Sequence, residues 1–153
     1  MDTITIEKFI LTGIALKKKT TNANGQSAVD CGSLWQQFEK GNYADKIPGK
    51  LDDNIIAVYH SYEGDYTKPF SYFIGCRVKE GALLPEGMDS LAIEKAVYKK
   101  IMAHGKMPDC IANAWKKVWL EGIDRAYTAD FEVYGELSKN WNDATVELYI
   151  AVK

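Results

Sequence analysis

Phe131-Glu132-Val133-Tyr134 is the stretch of sequence from which the fold and the function are best approached. Its aromatic and β-branched residues are typical of a strand, and one carboxylate interrupts them. Because successive side chains of a strand point to opposite faces, Glu132 and Tyr134 share one face and Phe131 and Val133 the other. The stretch therefore predicts a strand that presents an acid and a phenol together.

The closing run VELYIAV, residues 146–152, has the same alternation, so that Glu147 and Tyr149 also share a face. If the two strands pair, the pattern predicts that Glu132 and Glu147 converge with Tyr134 and Tyr149 on one surface. Carboxylates among aromatic rings suit a bulky apolar cation. Taken without other information, the same pattern also fits the solvated face of a half-exposed strand.

The length and composition of the chain predict one globular domain, residues 1–153. The chain has 153 residues, of which 46% are apolar and 26% charged, enough to bury a core. A net charge of −2 and a pI near 5.7 argue against a nucleic-acid surface. No window approaches 18 continuous apolar residues, which predicts no membrane span.

The cysteines and histidines predict no metal and no cofactor. Cys31, Cys76 and Cys110 are far apart and odd in number, so neither a zinc site nor a disulfide framework is indicated. Reduced thiols and the lack of a signal peptide at the start favour the cytoplasm. His60 and His104 lack metal-ligand spacing. No Walker A, Rossmann or nucleophile-elbow motif is present.

An internal repeat organises the chain, with repeat one at about residues 1–79, a connector at 80–89 and repeat two at about 90–153. Each repeat is predicted as β-α-β-β, with antiparallel closing strands. The predicted strands are 4–18, 54–62, 70–78, 90–102, 130–137 and 145–152, and the predicted helices are 27–40 and 108–123. Residues correspond between the repeats at two offsets: Val58-Tyr59 with Val133-Tyr134 and Tyr72 with Glu147 at 75, and Gly25 and Trp35 with Gly105 and Trp115 at 80. An α+β fold with an approximate twofold between the repeats follows.

The second predicted helix places Ile111, Trp115, Val118 and Trp119 on one apolar face. Such a face belongs to a core more often than to a ligand site. In the first helix, Ser27 is expected to be the N-cap residue.

A set of short motifs runs along the second half: Ala96-Val97-Tyr98, Gly105, Ala114-Trp115-Lys116-Lys117-Val118-Trp119, Phe131-Glu132-Val133-Tyr134 and the closing run 146–152. In their order and spacing these motifs resemble the gyrase-inhibitor-like effector-binding domains, the sensor modules of bacterial multidrug-responsive transcription regulators. The run 72–78 of the first half is more loosely similar. Ala151 stands where the family often has a proline.

The resemblance implies two β-α-β-β units around a cleft that binds lipophilic organic cations, with Glu132 as the buried acid. It also implies a free-standing sensor that lacks its own DNA-binding module, similar to versions encoded by mobile gene cassettes. The partner is then an amphipathic cationic small molecule, with any protein partner unknown. The predicted ligand-binding residues are Glu132, Glu147, Tyr149, Tyr134, Tyr59, Trp115, Trp119 and Tyr72.

Two alternatives remain at the level of sequence, because some proteins of the family resemble hydrolases and others resemble inhibitors of DNA gyrase. A small hydrolase would use Glu132 as general base with Tyr134 or Tyr149 assisting. An inhibitor would act through protein contacts and would have a vestigial pocket. The sequence favours a binding module over an enzyme.

Overall fold

The computed structural model of the chain describes residues 3–153, and this part contains eight strands and three helices. The strands are β1 (Thr3–Ile6), β2 (Phe9–Ala15), β3 (Ile55–His60), β4 (Ser71–Val78), β5 (Asp89–Ile93), β6 (Ala96–Gly105), β7 (Ala129–Tyr134) and β8 (Ala144–Ala151). The helices are α1 (Gln26–Lys40), α2 (Tyr43–Lys46) and α3 (Asp109–Leu120), and short 3-10 turns cover Ala23–Gly25 and Glu136–Ser138.

All eight strands form one antiparallel sheet in the order β1-β6-β8-β7-β3-β4-β2-β5. Strands β1, β2, β3 and β4 of the first half correspond to β5, β6, β7 and β8 of the second. When each strand in the order is replaced by its counterpart, the result is the same order read backwards. The molecule therefore has a pseudo-twofold axis between β3 and β7. The predicted α+β fold, the two β-α-β-β repeats and the antiparallel pairs β3–β4 and β7–β8 are confirmed.

Two of the predicted strands, 4–18 and 90–102, are wrong as single elements. Each is divided by a charged pair, Glu7-Lys8 in the first and Glu94-Lys95 in the second. The charges face water and pair across the two breaks, with Lys8 3.8 Å from Glu94 and Lys95 3.5 Å from Glu7. The segment before each break joins the other half, since β1 pairs with β6 and β5 pairs with β2.

Because β1 and β5 each pair with a strand of the other half, the sheet must curl. β1 and β2 lie near opposite ends of the strand order, yet only Glu7 and Lys8 separate them in the chain. The span from Ile6 to Phe9 reaches at most about 11 Å when extended. The two ends of the sheet must therefore approach one another, and the same holds for β5 and β6.

The curl gives the sheet an inner face and a helix face. The inner face is a single buried cluster drawn from seven strands: Phe9, Leu11, Ile56, Val58, Phe73, Ile93, Tyr98, Phe131 and Ala151. On the helix face, α1 packs over the first half around Leu34 and Phe38. α3 packs over the second half around Ala114 and Val118. The helices thus flank the central β3–β7 pair.

The helix boundaries follow local chain geometry. α1 begins at Gln26, one residue before the predicted start, and its N-cap is Gly25 in the left-handed conformation at φ +70°. Ser27 is therefore not the N-cap, and its hydroxyl instead donates to Asn22 Oδ1 at 2.9 Å. α3 ends at Leu120, three residues before the predicted end. α2 lies between the predicted helix 27–40 and the predicted strand 54–62, where no element was predicted.

Residues 3–153 contain no helix that is long and apolar enough to cross a membrane. Within the same range, no cluster of three or more His, Cys, Asp or Glu side chains has the arrangement of a metal site. Cys31, Cys76 and Cys110 are free thiols.

Candidate functional site

Glu132 lies at the centre of the helix face, on β7, and its side chain is 1% exposed. Three aromatic residues donate hydrogen bonds to its carboxylate. The Tyr59 hydroxyl and Trp115 Nε1 donate to Oε2 at 2.8 and 2.6 Å, and the Tyr134 hydroxyl donates to Oε1 at 2.6 Å. Tyr59 comes from the first half and the other two donors from the second, so the two halves build the site together.

Further aromatic rings enclose this carboxylate. Tyr59 contacts Trp115 at 4.8 Å and Tyr72 at 4.9 Å between ring centroids, both edge to face. Trp35 of α1 meets Tyr134 at 4.8 Å and donates from Nε1 to the Tyr72 hydroxyl at 2.8 Å. We call Glu132 with Tyr59, Tyr72, Tyr134, Trp35 and Trp115 the aromatic acid site.

No positively charged side chain pairs with Glu132 within residues 3–153. Burial raises the pKa of Glu132 above its ordinary value, although the hydrogen bonds from Tyr134, Trp115 and Tyr59 oppose the shift. Burial and the neighbouring carboxylate raise the pKa of Tyr59 and Tyr134 well above their usual range. Both hydroxyls therefore stay protonated and remain donors.

The predicted convergence of two carboxylates is wrong. In the β7–β8 pair, Leu148 lies opposite Glu132, while Glu147 lies opposite Val133 and Tyr149 opposite Phe131. Directly paired residues share a face, so Glu147 and Tyr149 belong to the inner face. Alternation within a strand gives only relative faces, and the register decides which faces match. Tyr149 consequently lies on the wrong side of the sheet to assist Glu132.

Trp119 also lies apart from the hydrogen bonds of Glu132. It follows Trp115 by one turn of α3 and stacks on Tyr66 of the β3–β4 connection, with ring centroids 5.4 Å apart and planes 8° apart. Of the eight predicted residues, the structure brings together Glu132, Tyr59, Tyr72, Tyr134 and Trp115. Trp35 was missed, although the repeat offset that pairs it with Trp115 was a usable signal.

A second buried charge lies two residues before Glu132, on the same face of β7. The Arg125 guanidinium donates to Asp130 Oδ2 at 2.6 Å, and the Tyr62 hydroxyl donates to the same oxygen at 2.6 Å. The guanidinium carbon lies 4.3 Å from the ring centroid of Tyr127 and 5.7 Å from that of Trp115. The chain thus supplies its own cation to one aromatic carboxylate site and leaves the neighbouring one without a cation.

Comparisons with known proteins show the family and the fold of the chain. The integron cassette protein VCH_CASS2 from the mobile metagenome of Vibrio cholerae is 30% identical, with a TM-score of 0.76 over 99% of this chain and 95% of that one. SAV2435, solved bound to tetraphenylphosphonium, is 17% identical and has a TM-score of 0.79 over 99% of this chain and 93% of that one. It shares the fold.

The Bacillus subtilis protein YobU, named for a proposed role in transcriptional regulation, is 24% identical over 125 residues, 79% of this chain and 78% of YobU. The family model described as Cass2, integron-associated effector binding protein, matches residues 4–152. The chain therefore belongs to the Cass2 family of integron-associated effector binding proteins.

Proposed function

We propose that this protein binds lipophilic organic cations at the aromatic acid site, between α1 and α3, with Glu132 as the counter-ion. The observation that carries the proposal is a fully buried carboxylate with three aromatic donors and, within residues 3–153, no cationic side chain paired with it. An uncompensated buried charge costs free energy. A cation that enters beside Glu132 offsets that cost, whereas a neutral compound of the same shape does not.

The aromatic walls of the site support a preference for ligands that are charged and lipophilic, and not for one particular molecular skeleton. Tyr59, Tyr72, Trp35 and Trp115 present aromatic rings, and each close ring contributes about 0.5–2 kcal/mol to a cation, depending on how far both are desolvated. In this structure the rings contact one another at 4.8–4.9 Å. A bulky ligand must therefore move some of these rings apart in order to reach Glu132.

Tetraphenylphosphonium is the natural probe, because SAV2435, which shares the fold, was solved with it. The alternative functions receive less support. A hydrolase receives less support because Tyr59, Trp115 and Tyr134 already fill three of the roughly four acceptor positions of the Glu132 carboxylate. The mutual contact of the rings also fits the vestigial pocket of an inhibitor that acts through protein contacts. The buried Glu132 carboxylate, which pairs with no cationic side chain within residues 3–153, favours the cation-binding function instead. Because the net charge is −2, we also expect no direct binding of nucleic acid. Because the cysteines are free thiols, we expect a cytoplasmic location.

Calorimetric titration tests the proposal. Wild type is expected to bind tetraphenylphosphonium with a Kd on the order of 1 μM, and neutral triphenylphosphine oxide at least about tenfold more weakly. Glu132→Gln should lower cation affinity by about 1–3 kcal/mol, the contribution of a charge-assisted contact.

Glu147→Gln is the matched control, because it removes the same charge from the inner face and should leave cation affinity unchanged. Equal affinity of wild type for the cation and for the neutral compound would refute the electrostatic proposal. A Glu132→Gln variant that binds as tightly as wild type would refute the assignment of Glu132.

A further inference from the structure

We propose that the inner face of the sheet holds a second small-molecule site, which takes a small carboxylate with an apolar body through Arg77. The proposal is independent of cation binding at Glu132, because the two sites lie on opposite faces of the sheet. It rests on three observations. The curled sheet contains a small cavity, the Arg77 guanidinium in its wall forms no ion pair within residues 3–153, and the charge of Glu147, one of the two acidic residues nearby, is already balanced by Lys100.

The cavity has a volume of about 140 Å³. Its lining combines five apolar side chains, which we call the floor, with five polar ones, which we call the rim. The floor consists of Ile6, Phe9, Ile56, Phe131 and Val133, and the rim consists of Asp52, Asn54, Arg77, Glu147 and Tyr149. Phe131 stacks on Tyr149 at 4.8 Å and meets Phe9 edge to face at 5.3 Å, so much of the floor is aromatic. The volume equals roughly five water molecules, which admits a small organic acid and excludes a drug-sized compound.

Arg77 supplies the positive charge. Its guanidinium carbon lies 5.2 Å from the ring centroid of Phe9, which holds the group against the apolar floor. Arg77 forms no ion pair within residues 3–153, and its Nε is buried without a hydrogen-bond acceptor. A buried donor without a partner is uncommon in folded proteins and calls for an acceptor from outside the chain. The planar fork of a guanidinium matches a carboxylate in two parallel hydrogen bonds.

The two acidic residues of the rim differ in how far their charge is compensated. Glu147 is 3.0 Å from Lys100 Nζ and accepts the Tyr149 hydroxyl at 3.0 Å. Its charge is therefore already balanced within the protein. Asp52 Oδ1 accepts the backbone N–H of Asn54 at 3.0 Å and forms no ion pair in the part of the chain that the structure describes. Asp52 thus disfavours a plain carboxylate and favours one that also carries an ammonium group.

Titration with benzoate, followed by protein NMR, tests the site. Benzoate is expected to bind saturably with a Kd on the order of 1 mM, and benzamide, which has the same shape and no charge, at least about tenfold more weakly. Arg77→Gln should weaken benzoate binding at least about tenfold. Lys79→Gln is the control, because it removes the same charge from an exposed side chain one residue beyond β4. It should leave binding unchanged.

Asp52→Asn separates the two kinds of acid. It should tighten the binding of benzoate and weaken that of a small α-amino acid such as valine. Binding of either compound supports the site if Arg77→Gln weakens it. Circular dichroism and thermal unfolding of Arg77→Gln show that a loss of binding is not a loss of fold. The proposal is overturned if neither acid binds wild type, if benzamide binds as well as benzoate, or if a folded Arg77→Gln variant binds as well as wild type.

Discussion

At the scale of single residues, the hydrogen bonds of Glu132 determine what a substitution does to stability. A glutamine can keep the network, since its carbonyl accepts from Trp115 and Tyr59 while its amide donates to the Tyr134 hydroxyl. An alanine leaves all three donors without an acceptor, and each buried orphan costs about 1–3 kcal/mol. The two variants therefore separate the charge of Glu132 from its role as an acceptor.

We predict that Glu132→Gln keeps the fold with a free energy of unfolding equal to or above that of wild type, because a desolvated charge is removed. Glu132→Ala should lower it by about 3 kcal/mol or more, because three donors are orphaned and a cavity is left. Urea denaturation of the ligand-free proteins measures both. If the alanine variant were as stable as the glutamine variant, the hydrogen bonds around Glu132 would have no structural importance.

The raised pKa of Glu132 also predicts a pH dependence. The folded protein holds the Glu132 proton more tightly than the unfolded chain does. The ligand-free protein should therefore lose stability as pH rises from the ordinary glutamate pKa to the raised one, and Glu132→Gln should lack this loss. Cation binding should show the reverse trend and weaken as pH falls through the raised pKa, because the carboxylate is then neutral.

Tetraphenylphosphonium titrations over about pH 4–8 measure this effect, with the neutral triphenylphosphine oxide as reference. The affinity for the oxide should stay flat over the whole range. If the affinities for both compounds changed together, the pH dependence would reflect the fold and not the charge of Glu132.

At the scale of elements, β7 shows how far the sequence predicts the site. Alternation along the strand, together with the family resemblance, was enough to select Glu132 and Tyr134. The register between β7 and β8 arises from the pairing of distant segments, so no local pattern could show that Leu148, and not Glu147, lies opposite Glu132. Arg125 was missed for a related reason: it lies outside any periodic segment and reaches Asp130 through the tertiary fold.

The buried Arg125–Asp130 pair next to the aromatic acid site gives an element-scale prediction. Arg125→Met leaves Asp130 buried and without its cation, and should lower the free energy of unfolding by about 3–5 kcal/mol. The double variant with Asp130→Asn should recover most of that loss, since Tyr62 and the Ala151 N–H can still bond to the asparagine. Urea denaturation of both proteins tests this. A single variant as stable as wild type would contradict it.

At the scale of the whole molecule, the exchange of strands makes the two repeats dependent on each other. The charged breaks at Glu7-Lys8 and Glu94-Lys95 could not be predicted from the sequence, because two charged residues within an apolar run also fit the solvent-exposed part of one continuous strand. The structure shows that β1 and β5 each complete the other half. The β3–β7 pair joins the halves at the centre, and Tyr59 crosses it to reach Glu132.

We predict that neither half, residues 1–79 or 80–153, folds alone. An isolated half would expose the inner face and would leave the edges of two or more strands unpaired. Circular dichroism and thermal melting of each separate half should show no cooperative transition. Mixing the halves, or expressing them together, should restore the transition and with it the binding of tetraphenylphosphonium, because the donors to Glu132 come from both halves. A single half that melts cooperatively on its own would show that each repeat is an independent domain and would contradict the dependence inferred from the strand exchange.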